Sequence, residues 1–191
     1  MFSDQIIVLT YVIRSDAERR GYHPWLRIID NPFFNSVPKI ARYENWKLAA
    51  DADANPLLWT HFDLLHPAKG VEPMEVFQIP VVADFAANWS RLWGVAPAAE
   101  DQSVNYQIHI LERVRQGKCQ RGQLLALVID PDLDKLPADA ELWRTRSMVV
   151  GDNQLGQTFA LQPLSLTDAQ VDAGWGRQVL VGDCIASPDY P

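Results

Sequence analysis

The sequence predicts an α+β protein built on a four-stranded antiparallel sheet, with helices on one face and a second sheet closed against the other. Three observations carry this expectation. Residues 1–115 spell the element order β-α-β-β-α-β, their strands carry bulky groups on both faces, and residues 116–191 are β-rich with little helical pattern. Helices cover one face of such a sheet, so an apolar second face needs a partner layer. That layer comes either from residues 116–191 or from a second subunit.

The elements follow in order. Residues 5–13, QIIVLTYVI, are β-branched and aromatic throughout and read as a strand buried on both faces. After the charged break SDAERRG, Pro24 opens a helical piece, PWLRIID, in the first-turn position that proline tolerates. Asn31-Pro32 restarts the chain as a second short helical piece, and Pro38 ends it. Residues 39–49 and 57–65 are the second and third strands, joined by the turn DADANP and therefore antiparallel neighbours. HPAKGVEPMEVFQI is a loop with a helical turn. Residues 80–93 form the clearest helix, with Val82, Phe85, Trp89, Leu92 and Trp93 on one face and Gly94 placed to stop it. VAPAAEDQS links to a fourth strand at 105–114.

That order is the ferredoxin-like unit, a four-stranded antiparallel sheet with two helices on one side. Four more strands are expected at 123–130, 142–150, 157–164 and 177–185, with a helical segment at 166–174 before the last. They form either a degenerate second unit or a β-rich extension.

The totals bound the function. The 191 residues carry a net charge of −7, which argues against nucleic acid, since phosphate binding wants clustered Lys and Arg. The one basic stretch, residues 113–121, reads as a solvated loop. Cys119 and Cys184 lack metal-type spacing and are expected as reduced thiols. No apolar run reaches the length of a membrane span, and the N-terminus has no basic leader, so the protein is expected in the cytoplasm, away from membranes. Seven tryptophans and seven phenylalanines fit both a core and the walls of an apolar cavity.

The features of residues 5–114 resemble, as a set, the dimeric α/β-barrel superfamily, closest to its EthD-like, REDY-like and stress-responsive members. The strand IIVLTYVI leads to a His-Pro step, His23-Pro24, that opens the first helix. A proline-closed end leads to the aromatic strand VPKIARYENW, and a strand of the form THFD follows at Thr60–Asp63. Residues 116–191 fall outside the resemblance, and Pro32 departs from the simplest pattern. The resemblance implies two sheets closed into a barrel, a small ligand inside it, and a homodimer as the assembly. It implies no particular reaction.

His61 is the leading catalytic candidate. Asp63 shares its face roughly 6–7 Å along the strand, close enough to orient the imidazole through a water. Tyr43 and Asn45 alternate along the neighbouring strand, and Tyr43 could donate to a substrate carbonyl. This polar face is expected to line the barrel interior. His23 matches the histidine that EthD-like proteins carry near the start of the first helix; the alternative is a local cap. Trp59 is a candidate stacking wall beside His61, and Tyr11 and His109 join Asn45 as ligand-binding candidates. His66, beside Pro67, is expected in an exposed loop. No histidine spacing suggests a metal, and no phosphate-loop or nucleophile-elbow motif is present.

The expected activity is binding of a small apolar, aromatic or polyketide-like molecule, with cofactor-free acid–base chemistry of the cyclase, dehydratase or isomerase type. The competing readings are a ligand carrier without chemistry and a haem-dependent enzyme with a histidine as axial ligand.

Overall fold

The computed structural model describes residues 3–49, 59–96, 98–117, 122–152, 155–165 and 171–189. The expected turn at 51–56, Cys119, Lys118, Arg121 and most of the helical segment at 166–174 lie outside the described residues.

All eight expected strands form: β1 (Gln5–Tyr11), β2 (Ile40–Leu48), β3 (His61–Pro67), β4 (Tyr106–Arg115), β5 (Leu124–Pro131), β6 (Glu141–Val150), β7 (Thr158–Leu164) and β8 (Gly176–Ala186). They close into one antiparallel barrel in the order β1-β3-β2-β8-β5-β7-β6-β4. The first four strands therefore run β4-β1-β3-β2 and the last four β8-β5-β7-β6, the same order twice. The layer that completes the barrel is residues 116–191, so closure needs no second copy. The two seams, β2–β8 and β4–β6, carry register shifts, as expected where a sheet must bend to close. No helix among the described residues is long and apolar enough to cross a membrane.

The helical segment after β1 is continuous in backbone conformation but changes its winding. α1 (Tyr22–Trp25) passes into a π turn at Leu26–Asp30 and then into α2 (Asn31–Ser36). The sequence suggested a restart at Asn31-Pro32; Trp25, Leu26, Asp30 and Asn31 instead all keep right-handed helical torsions. Pro32 has no N–H to give the Ile28 carbonyl, and a wider turn accommodates that loss. Two further helices, α3 (Pro73–Phe77) and α4 (Pro80–Trp93), follow β3. Gly94 ends α4 with φ −65° and ψ 151°, so chirality does not demand glycine there. A Cβ on Gly94 would lie 2.6 Å from the Ser90 carbonyl and 2.8 Å from Asn105 Oδ1, and that close approach does.

The sheet's two faces bury different things. The barrel interior is filled by side chains from all eight strands, among them Ile6, Trp46, Phe62, Leu111, Leu127, Trp143, Phe159 and Leu180. The outer face of β4-β1-β3-β2 packs under the helices through Ile7, Tyr43, Leu65, Val76, Val82 and Ile108 and through Tyr11, Tyr22, Leu26 and Trp93. Cross-strand pairing fixes the assignment: Tyr11 lies opposite His61, Leu9 opposite Asp63, and Asn45 opposite Asp63. Paired residues share a face, so Tyr11, Tyr43, Asn45, His61 and Asp63 point outward, toward the helices. The expectation that this polar face lines the barrel is thus corrected. The interior is a packed aromatic core.

Candidate functional site

A cavity of about 100 Å³ lies between the outer face of the first four strands and the helices. Leu9, Leu65, Tyr106 and Ile108 form its floor; Phe34, Phe77, Val82, Phe85, Ala86 and Trp89 form its walls. Four polar groups project into it: Tyr11, Tyr43, Asp63 and Asp30. The stripe read from the sequence of α4 is what builds the wall, with Phe85 stacked face to face on Phe33 at 4.1 Å between ring centroids.

The polar end is a closed hydrogen-bond network. Asp63 Oδ1 accepts from the Tyr11 hydroxyl at 3.0 Å and from Asn45 Nδ2 at 3.0 Å, and Oδ2 accepts from the Tyr43 hydroxyl at 2.7 Å. Asn45 Nδ2 also donates to Asp30 Oδ2 at 2.8 Å, so one amide bridges two carboxyls. Asn31 Nδ2 donates to Asn45 Oδ1 at 3.0 Å, which fixes the orientation of that amide. Asp30 and Asn31 reach the sheet because the π turn ends at Asp30. Both are buried, at 2% and 7% exposure.

Burial sets the charge state. It raises the Asp30 carboxyl well above the ordinary carboxylate range, and repulsion from Asp63 adds to this. It lifts Asp63 to about 7, against the pull of the Tyr43, Asn45 and Tyr11 donors. Of the pair, Asp63, with three donors, is the better carboxylate, and Asp30 is the one that keeps its proton more readily. Burial, with the nearby carboxylates, holds the Tyr11, Tyr22 and Tyr43 phenols protonated, well above their ordinary range.

The histidines lie elsewhere. His61 opens β3 on the same outer face, yet its Nε2 faces His23 Nε2 at 3.2 Å and its Nδ1 meets Thr60 Oγ1 at 2.9 Å. It stacks on Tyr11, and neither His61 nor His23 lines the cavity. Burial, the neighbouring His23 and Lys47 push the His61 imidazole down to about 3, and burial lowers His23 as well. His109 and Trp59 belong to the other side of the sheet. His109 is fully buried, 3.4 Å from Thr10 Oγ1, and burial pushes it down to about 4. Trp59 precedes β3, outside its alternation, and packs in the barrel core against Phe62. His66 was expected to be exposed; it is 3% exposed, inside β3, near Trp143.

Of the expected site residues the structure gathers Tyr11, Tyr43, Asn45 and Asp63. Sequence reasoning missed Asp30, Asn31, Tyr22 and Trp89, whose indole donates to the Tyr22 hydroxyl at 3.1 Å. A signal was available. Tyr22, Leu26 and Asp30 stand four residues apart, so a carboxyl occupies the next step of an apolar helix stripe.

No family model matches the chain, and neither a curated protein nor a solved structure is similar to it.

Proposed function

We propose that the protein binds a small apolar molecule, of about one ring, in the cavity beneath α4 and moves a proton on it. A single observation carries this reading: an aromatic-walled cavity ends on two buried carboxyls, Asp63 and Asp30, bridged by Asn45, and on two phenols that donate to Asp63. The walls would hold the apolar body of the ligand, and the polar end would take its carbonyl or hydroxyl. Asp63 is the base that takes a proton from a carbon beside the carbonyl, Tyr43 or Tyr11 donates to the oxygen on which charge develops, and Asp30 returns a proton. Isomerisation, cyclisation and dehydration all use such a pair of proton transfers. One placed acid or base contributes about 10²–10⁴-fold. The strand order β4-β1-β3-β2, with helices on one side, supports reading the first half as a ferredoxin-like unit of the dimeric α/β-barrel type, with the second half standing in for the partner sheet. The cavity size narrows the expected ligand, since a fused polycycle would require α4 to move.

The test uses acetophenone as a probe carbon acid in deuterium oxide, with exchange of its methyl protons followed by NMR. Exchange that is faster with the protein and falls about 10²–10⁴-fold in Asp63→Asn supports the reading, provided Asp63→Asn keeps its circular dichroism. Binding of the probe with no catalysed exchange would favour the carrier reading. One observation favours a carrier: Asp63 accepts from Tyr11, Tyr43 and Asn45 together, as in a site built to hold its own shape.

A further inference from the structure

Glu18, His23 and His61 come from three separate parts of the chain, the turn before α1, α1 itself and the first residue of β3. Nothing in their spacing announces a site. The fold nevertheless brings one ligating atom from each within 4.8 Å of the other two. The two imidazole Nε2 atoms face each other at 3.2 Å, and Glu18 Oε1 lies 3.8 Å from His23 Nε2. Two nitrogens bound to one tetrahedral zinc at about 2.0–2.1 Å stand about 3.3 Å apart. The histidine pair already has that separation, and the half-exposed Glu18 side chain, on a flexible stem, lies within reach of a rotamer adjustment.

The surroundings fit the same purpose. His61 is held from behind: Thr60 Oγ1 lies 2.9 Å from Nδ1, so with the proton on Nδ1 the hydroxyl accepts it and Nε2 is left with a lone pair on the side of His23. Such an outer contact fixes ring and tautomer in metal-binding histidines. Thr60 is itself fixed, because its N–H donates to the Tyr11 carbonyl at 3.1 Å and its carbonyl accepts from the Leu48 N–H at 2.9 Å. The Tyr11 and Tyr22 rings pack the imidazole from two sides, one stacked and one edge-on. Lys47 Nζ meets Glu18 Oε1 at 2.7 Å, so a cation already pairs with the carboxylate that would complete the set.

We infer that Glu18, His23 and His61 form a binding site for a zinc-type divalent ion, in which the metal and the Lys47 ammonium compete for Glu18. Two imidazoles and a carboxylate suit zinc better than magnesium or calcium, which prefer oxygen alone. Three protein ligands leave a fourth position for water or a ligand oxygen. None of the three lines the cavity, although His61 stacks on Tyr11 at its edge, and metal binding does not depend on how the cavity is used.

The experiment titrates metal-stripped full-length protein with Zn²⁺ in a calorimeter and with Co²⁺ by visible absorption. One ion per chain and the ligand-field bands of four-coordinate cobalt are expected. His23→Ala weakens binding by more than about 100-fold, beyond what loss of an outer contact costs. Thr60→Ala, which removes only the positioning contact, weakens it about tenfold. Glu18→Gln weakens binding, and Lys47→Gln tightens it because the competing cation is gone. His23 is half-buried and Glu18 and Thr60 are exposed, so these variants keep the fold even if His61→Ala does not. Absence of stoichiometric binding in the wild-type chain would overturn the inference, and so would wild-type affinity in His23→Ala.

Discussion

The two halves of the barrel run their strands in the same order, yet their outer faces are used differently. Over β4-β1-β3-β2 lie α2 and α4, and between helix and sheet a cavity and two buried carboxyls survive. Over β8-β5-β7-β6 the covering among the described residues is short: Leu136 and Ala140 from the segment after β5, and Trp175 from a single helical turn, close on Val128, Leu142, Ala160 and Val179. That cover is made of single side chains from irregular segments, which settle directly onto the strands. A regular helix such as α4, carrying Phe85 and Trp89, cannot collapse onto a sheet in the same way, and the space it leaves is where a ligand fits. The inner faces, by contrast, contribute jointly to one core, and this contrast can be broken or sharpened in four ways.

The largest effect is expected in the shared core. Trp143→Ala removes a fully buried ring from β6 and is expected to cost about 3–5 kcal/mol. Urea unfolding followed by fluorescence and by circular dichroism will give one coincident transition if the halves are a single cooperative unit; two separated transitions would mean that each half folds alone.

The second test concerns acid. His109 is buried in the interior with its imidazole pushed down from 6.5 to about 4. The unfolded chain then binds a proton that the folded chain refuses between these values. Stability is fully present above pH 6.5 and falls as pH drops toward 4, by about 3 kcal/mol from this group. His109→Leu is expected to flatten that part of the curve in thermal unfolding at stepped pH. An unchanged acid limb would show that the imidazole titrates in the fold as it does in the unfolded chain.

A smaller change is expected on the outer face. Tyr43→Phe deletes a donor to Asp63 and is expected to cost about 1.5–3 kcal/mol, the range for hydrogen bonds to charged groups, while leaving the barrel intact. If denaturant midpoints do not move, the hydroxyl is held for the ligand rather than for the fold. The smallest effect belongs to the second half: Arg144 pairs with Glu112 across the β4–β6 seam with both side chains substantially exposed. Arg144→Ala is expected to shift stability by less than about 1 kcal/mol, measured in the same assay.

The strands were legible in the sequence because alternation and β-branched runs survive any arrangement of the sheet. Barrel closure was legible too, since strands apolar on both faces must be covered twice. Which face was which could not be read. Alternation says that Tyr43, Asn45, His61 and Asp63 share a side, but the side is set by register with β1 and by the helices, which are long-range facts. Trp59 misled because it stands just before β3, where period-two reasoning no longer applies. Asp30 was hidden by Pro32, which reads as a break in sequence and acts in the fold as a change of helical winding. The pairing of His23 with His61 spans 38 positions, and no local pattern encodes such a contact.

The ring of strands has one more consequence. Each of the eight has a neighbour on both sides, so among the described residues no strand is an edge along its whole length, and the room for adding a foreign strand is confined to stretches that run past their seam and neighbour pairings, such as those of β2 and β6. Association with another chain through the paired strands falls to their side chains, and its specificity will be written in surface residues that can be changed without disturbing the barrel.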